Sequence, residues 1–149
     1  FEYIGDSSKD YIFAVCTLLE DALTDRDLVH RQTACNVIRH AAIGAAGYGC
    51  EEALLHLLNH VIPNIFETSP HVIFSVIETM EAMRMSVGSS VLLNYVTQGL
   101  FHPARRVREV YWRVYNNLYI ANPEALIAQY PNAKTDKRAD PKSFLDVML

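Results

Sequence analysis

Apolar residues along this chain recur every three to four positions, and Gly and Pro interrupt the pattern at regular intervals. That spacing places apolar side chains on one face of an α-helix. The sequence contains no alternating apolar–polar run long enough to predict a β-strand. The pattern predicts three helix pairs, with first helices over roughly 8–23, 51–66 and 89–101 and second helices over roughly 26–43, 70–87 and 103–121. The predicted fold class is therefore all-α.

The three predicted pairs repeat one another. The first helices end at Leu23, Phe66 and Phe101, and each is followed six residues later by a valine: Val29, Val72 and Val107. Matching positions are therefore 43 and then 35 residues apart, in or near the range of two-helix solenoid repeats. The predicted architecture is an α-solenoid of about three helix pairs.

The second helices carry start and stop signals. The run from Thr24 to Asp27 resembles a capping box, in which side chains satisfy the first backbone N–H groups of a helix. Ser69-Pro70 and His102-Pro103 place proline at the first helical position, where its missing N–H costs nothing. Gly44 and Gly88 are predicted to stop the first two repeats.

The apolar faces also match after alignment, and Pro63 is predicted to kink the first helix in which it lies. The faces predicted to be buried are Val29, Thr33, Val37 and Ala41 in the first repeat, Val72, Val76, Met80 and Met83 in the second, and Val107, Val110 or Tyr111, Val114 and Leu118 in the third.

These signals predict a single α-solenoid fragment over residues 1–149. In that division, residues 1–5 end a preceding helix, residues 6–44, 45–88 and 89–122 are the three repeats, and residues 123–149 are a C-terminal cap or tail. The outer edge of a last repeat has no following neighbour, so a cap is expected there.

Composition narrows the classes of partner. The net charge of −4 gives no overall attraction to a phosphate backbone, so nucleic acid would need a local basic patch. Residues 85–104 contain no Asp, Glu, Lys or Arg, but their Ser, Gly and Pro content is too polar for a membrane span. The three cysteines, Cys16, Cys35 and Cys50, lack CxxC spacing and favour a reducing compartment, the cytosol or the nucleus.

His56 and His60 have the four-residue spacing of two metal ligands on one helical face, but Leu57 occupies the position where a zinc protease needs glutamate. No carboxylate or cysteine follows at a third-ligand spacing, so a partly buried or interfacial helix face is the preferred interpretation and no metal is expected.

Other catalytic patterns are equally incomplete. Gly44, Gly47 and Gly49 follow a helix rather than a strand and precede two glutamates, so they indicate a turn and not a phosphate loop. A cysteine nucleophile needs a base beside it. Cys35 or Cys50 would have to pair with His30 or His40, but no local pattern positions either histidine as a general base. We therefore expect no enzyme, no cofactor and no small-molecule substrate.

The run FHPARRVREVYWRVYNNLYIANP mixes arginines with aromatic residues. At 100° per residue its valines form the core face, Arg106 and Arg113 lie on one flank, and Glu109 stands between the basic groups. The opposite flank carries Arg105, Arg108, Trp112 and Tyr119.

This helix offers two sets of candidate contacts. The protein-interface candidates are Trp112, Arg108 and Tyr119, with a cation–π contact possible between Arg108 and Trp112. The weaker RNA-contact candidates are Arg105, Arg106, Arg108 and Arg113. A cap formed by the C-terminal segment would cover Trp112 instead, and the sequence leaves both alternatives open.

The turn FHPARRVREV has proline and then valine-arginine where HEAT repeats usually place them, so the helix pairs resemble HEAT repeats. The runs FEYIG, LLEDAL, DRDLVHRQTA, HLLN and QGLFHPAR further resemble the C-terminal end of the family formed by the largest subunit of splicing factor 3b. The resemblance covers Phe1 to about Tyr130 and is weaker to Leu149; the tail PNAKTDKRADPKSFLDVML departs most.

That resemblance implies a nuclear, non-catalytic scaffold of the spliceosome. Its implied partners are the other splicing factor 3b subunits, in the ribonucleoprotein that selects the branch site, with branch-site RNA nearby and no membrane. A direct RNA-binding module and a generic HEAT adaptor from another pathway are the alternatives.

Overall fold

The computed structural model describes residues 7–121, and the predicted preceding helix at residues 1–5 and cap at residues 123–149 lie outside them. The described residues form helices and no β-strand, which confirms the all-α prediction. The helices are α1 (Ser8–Leu23), α2 (Leu28–Gly44), α3 (Glu51–Val61) with a 3₁₀ segment (Ile62–Phe66), α4 (Pro70–Val87), α5 (Ser89–Thr97) and α6 (Arg105–Ala121).

The chain divides into two compact units between Gly88 and Ser89. In the first unit α2 packs along α4, while α1 packs against both α2 and α3. In the second unit α5 packs against α6. Each unit is thus built from packed helix pairs of the α-solenoid type, as predicted. None of the helices described is long and apolar enough to cross a membrane.

Helix α4 follows its sequence signals closely. Pro70 occupies the first turn, and Gly88 ends the helix with a φ of 88°, a left-handed conformation that glycine adopts without strain. The four residues predicted to face the core are fully buried: Val72, Val76, Met80 and Met83. The prediction for this helix is therefore confirmed.

Helix α2 begins differently from the prediction. The Asp27 carboxylate accepts a hydrogen bond from Val29 N at 2.9 Å, so Asp27 and not Thr24 is the N-cap. The Thr24 hydroxyl instead donates to the carbonyls of Glu20 and Asp21 and completes α1. The predicted capping box is wrong because Thr24 belongs to the end of the previous helix.

The predicted apolar face of α2 is confirmed at Ala41 but is wrong at Val29 and Thr33, and Val37 is half-buried. Val29 is 63% exposed and Thr33 is exposed, whereas the buried residues are Ala34, Cys35, Ile38, Ala41 and Ala42. Small side chains line this face, and the hydroxyls of Thr79 and Ser86 on α4 donate to the carbonyls of Cys35 and Ala42. The buried face of α2 is therefore set by the close packing of α4 on its small residues and not by the positions of its larger valines.

Two helices end near the residues predicted to stop them. Helix α2 ends at Gly44 as predicted, but the left-handed positions of the following turn are those of Gly47 and Gly49, with φ of 84° and 77°. Pro63 does interrupt its helix as predicted, since α3 ends at Val61 and the chain continues as the 3₁₀ segment. Proline has no N–H to continue the α-helical hydrogen bonding.

In the second unit the connection is longer than predicted, because α5 ends at Thr97 and α6 begins at Arg105. Pro103 is therefore not at the first helical position: the His102 ring accepts a hydrogen bond from Ala104 N at 3.1 Å and holds a bend before the helix.

The predicted core face of α6 is buried, and Tyr115 joins it. The buried set is Val107, Val110, Tyr111, Val114, Tyr115 and Leu118.

Candidate functional site

The arginine–aromatic helix α6 presents its candidate residues in three different environments. Arg105, Arg106 and Arg113 are exposed, as is Tyr119 at 53%. Trp112 is half-buried and Arg108 is buried. The six candidates therefore do not form one continuous exposed surface.

Arg108 is only 5% exposed because it anchors the start of α6. Its Nη1 donates to the carbonyls of His102 and Pro103, each at 2.9 Å. Charge-assisted hydrogen bonds of this kind are stronger than neutral ones and fix the bend before the helix. The Nε atom of Arg108 is buried with no hydrogen-bond partner among the described residues.

Trp112 connects α6 to the preceding turn. Its Nε1 donates to the carbonyl of Leu100 at 2.9 Å, and its ring meets Tyr115 edge-on with centroids 5.3 Å apart. The indole is thus oriented by its own unit, with part of its surface still accessible. The segment predicted to cap Trp112 lies outside the described residues, so the choice between cap and partner surface stays a prediction.

Arg105 is an exposed arginine with a carboxylate beside it on α6. Arg105 Nε lies 3.2 Å from Glu109 Oε1, an exposed pair of the predicted i,i+4 kind. Exposed pairs of this type contribute little to stability. Residues 89–121 carry four arginines and one glutamate, whereas residues 7–88 carry five basic and ten acidic side chains. The basic surface is thus concentrated on α6 in a chain that is acidic overall.

The cysteines are in environments that suppress nucleophilic chemistry. Burial raises the pKa of the Cys35 thiol to about 11, although a hydrogen bond with Thr79 opposes the rise. Burial also raises the pKa of Cys50, with Glu51 adding to the rise, and burial and Glu20 raise the pKa of Cys16. At neutral pH these thiols are protonated, and the thiolate is the nucleophile.

The glycine-rich turn has no features of a phosphate site. It follows α2 rather than a strand, and α3 begins directly after it with Glu51 and Glu52 in its first turn. Carboxylates at a helix N-terminus complement the positive end of the helix and would repel a phosphate. The arrangement is a structural turn.

The histidine pair on α3 has a neighbour that the sequence did not reveal. His56 and His60 have ring centroids 5.0 Å apart, and Glu20 of α1 contacts His56 through its carboxylate. Glu20 precedes His56 by 36 residues, so no local spacing could identify it. Only the packing of α1 against α3 brings the three side chains together.

No protein-family model matches the chain. The chain is 56% identical over all 149 residues to the "U2 snRNP component HSH155" of Saccharomyces cerevisiae. It is 48% identical over 137 residues, 92% of the chain, to the "U2 snRNP component prp10" of Schizosaccharomyces pombe. The chain spans 15% of the first relative and 11% of the second.

Proposed function

Because this chain belongs to the family of the largest subunit of splicing factor 3b, we propose that it is a non-catalytic, HEAT-type scaffold segment in pre-mRNA splicing. The observation that carries the proposal is 56% identity over the whole chain to a U2 snRNP component. In this proposal the segment acts in the nucleus and holds other splicing factor 3b subunits in the ribonucleoprotein that recognises the branch site.

Helix pairs suit this role because they offer extended faces rather than an enclosed pocket. Several large apolar side chains on these faces are exposed, among them Leu18, Phe74 and Met85. The protonated cysteines and the glycine turn, in contrast, provide no catalytic group.

The end of α6 is the surface that we assign to a protein partner. Tyr119 and Ile120 are exposed at its C-terminal turn, and Trp112 lies two turns earlier with part of its ring accessible. Aromatic residues beside arginine have the composition of interface hot spots. Arg108 contributes indirectly, because it fixes the start of the helix that carries them.

Co-purification with the other splicing factor 3b subunits tests this proposal. We expect the full-length protein to retain these subunits, and Tyr119→Ala and Trp112→Ala to reduce their recovery. Tyr48→Ala, which removes an exposed tyrosine from the glycine turn, is the matched control and should leave recovery unchanged. Unchanged recovery in both test variants would show that this face of α6 does not hold a partner subunit. Failure of the wild-type protein to retain any subunit would contradict the scaffold proposal.

The alternative is direct RNA binding through Arg105, Arg106 and Arg113, the exposed members of the RNA-contact set. If these arginines contact three phosphates of a single strand, the logarithm of affinity should fall with the logarithm of salt with a slope of about −2. Replacing them with glutamine should remove that dependence. The absence of salt-sensitive binding to single-stranded RNA would exclude this alternative.

A further inference from the structure

Three side chains capable of binding a metal meet in the first unit, where α1 packs against α3. His56 and His60 lie one turn apart on α3, and Glu20 approaches from α1. One ligand atom from each side chain lies within 4.8 Å of the other two. Two imidazoles and one carboxylate form the ligand set of many open zinc sites.

The hydrogen bond of His60 prepares its ring for a metal. Its Nδ1 donates to the carbonyl of His56 at 3.0 Å, within the same helix. The proton is thereby held on Nδ1, and the lone pair of Nε2 is available. Metal-bound histidines commonly have this arrangement, in which the second ring nitrogen donates to a carbonyl or carboxylate.

His56 and Glu20 supply the other two ligand atoms. The Nε2 atom of His56 faces Glu20 Oε1 in direct contact, as donor to the carboxylate. A divalent cation can replace the proton that these two groups share, because both become ligands once His56 Nε2 is deprotonated.

We propose that Glu20, His56 and His60 bind a divalent transition metal of the Zn²⁺ class and link α1 to α3. Imidazole and carboxylate donors favour zinc over the larger oxygen-binding cations. The protein supplies three ligands, and water completes the coordination. The site is independent of α6 and of the proposed partner surface.

The site needs only small side-chain movements to close. Zinc bonds of about 2.0–2.2 Å place neighbouring ligand atoms roughly 3.4 Å apart in a tetrahedral site, compared with the 4.8 Å limit of the present cluster. The His56 side chain is 55% exposed and that of Glu20 27% exposed, so rotation is not blocked by core packing. The helices already hold the backbones in position.

Binding should also stabilise the first unit. Glu20 lies 36 residues before His56, so the complete site exists only when α1 and α3 are packed together. A ligand that binds the folded form alone raises its stability in proportion to the logarithm of the ligand concentration. Zinc should therefore raise the unfolding temperature.

Calorimetric titration of the untagged full chain with ZnCl₂, under reducing conditions near neutral pH, tests the proposal. We expect one equivalent of zinc to bind and the unfolding temperature to rise with zinc concentration. Glu20→Gln and His60→Ala should each weaken binding by about tenfold or more, since even indirect partners of a metal contribute that much. Both side chains are half-buried rather than part of the core, and circular dichroism checks that the variants keep the fold.

His71→Ala is the matched control, because it removes an exposed histidine from α4. It should leave zinc affinity unchanged. Cobalt(II) should bind in place of zinc without the intense near-ultraviolet absorption of a sulfur ligand. No zinc binding, equal binding by wild type and both test variants, an equal loss in His71→Ala, or a sulfur-to-cobalt band would overturn the proposal.

Discussion

Gly99 lies directly against the ring of Tyr111 in the connection between α5 and α6. A Cβ atom on Gly99 would lie 2.2 Å from Tyr111 Cε2, closer than any real contact. The ring is buried and belongs to the core face of α6, so it has little room to move. The close approach, rather than a special backbone angle, is what requires glycine at this position.

We therefore expect Gly99→Ala to destabilise the protein by about 3 kcal/mol, the upper part of the range for overpacking. Urea unfolding followed by Trp112 fluorescence measures this, because Trp112 bonds to the carbonyl of the next residue, Leu100. Gly47→Ala is the control: it has open space around its Cβ position and should lose only about 1 kcal/mol from its left-handed backbone.

A double-mutant cycle identifies the cause of the Gly99 effect. In a Tyr111→Ala background the ring is gone, so Gly99→Ala should cost much less than in the wild type. If the effects of the two substitutions on the free energy of unfolding are additive, contact with Tyr111 is not the reason why position 99 requires glycine.

Cys35 predicts a specific loss of stability at high pH. Its pKa is about 11 in the folded protein, above the usual value of a cysteine, so folding favours the protonated thiol. The contribution of the thiol to the free energy of unfolding is complete at pH values below the pKa of Cys35 in the unfolded chain. It is lost as the pH rises towards 11, the pKa in the folded protein. We expect about 2–3 kcal/mol of unfolding free energy to disappear between pH 9 and 11.

The comparison with Cys35→Ala separates this loss from the titration of lysines and tyrosines. The variant should start less stable at pH 8 because it creates a small cavity, but it should lose less stability over the same pH interval. Parallel pH profiles would show that the Cys35 thiol ionises equally easily in both states.

Arg108 illustrates which residue-level features the sequence could not provide. The helical angles placed it on a flank beside Trp112, available for a partner or for a cation–π contact. In the structure its guanidinium is buried and donates to two carbonyls of the preceding turn. The conformation of that turn depends on the bend at His102, which residue spacing does not encode.

Among the elements, the bounds of α1 and α4 and the core faces of α4 and α6 could be predicted from periodicity and turn residues. Helix α2 could not, because its buried face consists largely of Ala and Cys, which a pattern of large apolar residues does not reveal. The contact of Glu20 with His56 was also beyond prediction, since it depends on how two helices pack.

The start of α2 gives a prediction at the scale of an element. Asp27 caps the helix by accepting a hydrogen bond from Val29 N, so Asp27→Ala should reduce stability by about 1 kcal/mol. Ser69→Ala is the control, because Ser69 occupies the N-cap of α4 without making a side-chain capping bond. Chemical denaturation of both variants provides the measurement, and an equal effect in both would refute the capping role of Asp27.

At the scale of the whole molecule, the uneven charge is the feature most relevant to assembly. The basic side chains of α6 stand out in a chain with a net charge of −4. Opposite charge on a partner accelerates association, whereas buried aromatic contacts mainly slow dissociation. The arginines and Tyr119 should therefore affect different rate constants if both face the same splicing factor 3b partner.

Replacement of Arg105, Arg106 and Arg113 by glutamine should lower the association rate of the full-length protein with the proposed partner subunits by about tenfold at low salt. At high salt the effect should be small, because ions screen exposed charges. Tyr119→Ala should raise the dissociation rate at either salt concentration. Surface plasmon resonance at two ionic strengths separates these effects.

The control is the double substitution Glu51→Gln with Glu52→Gln, which alters charge at the start of α3. It should leave both the association and the dissociation rate unchanged. A salt-independent association rate in the wild type would show that the basic face of α6 does not steer assembly.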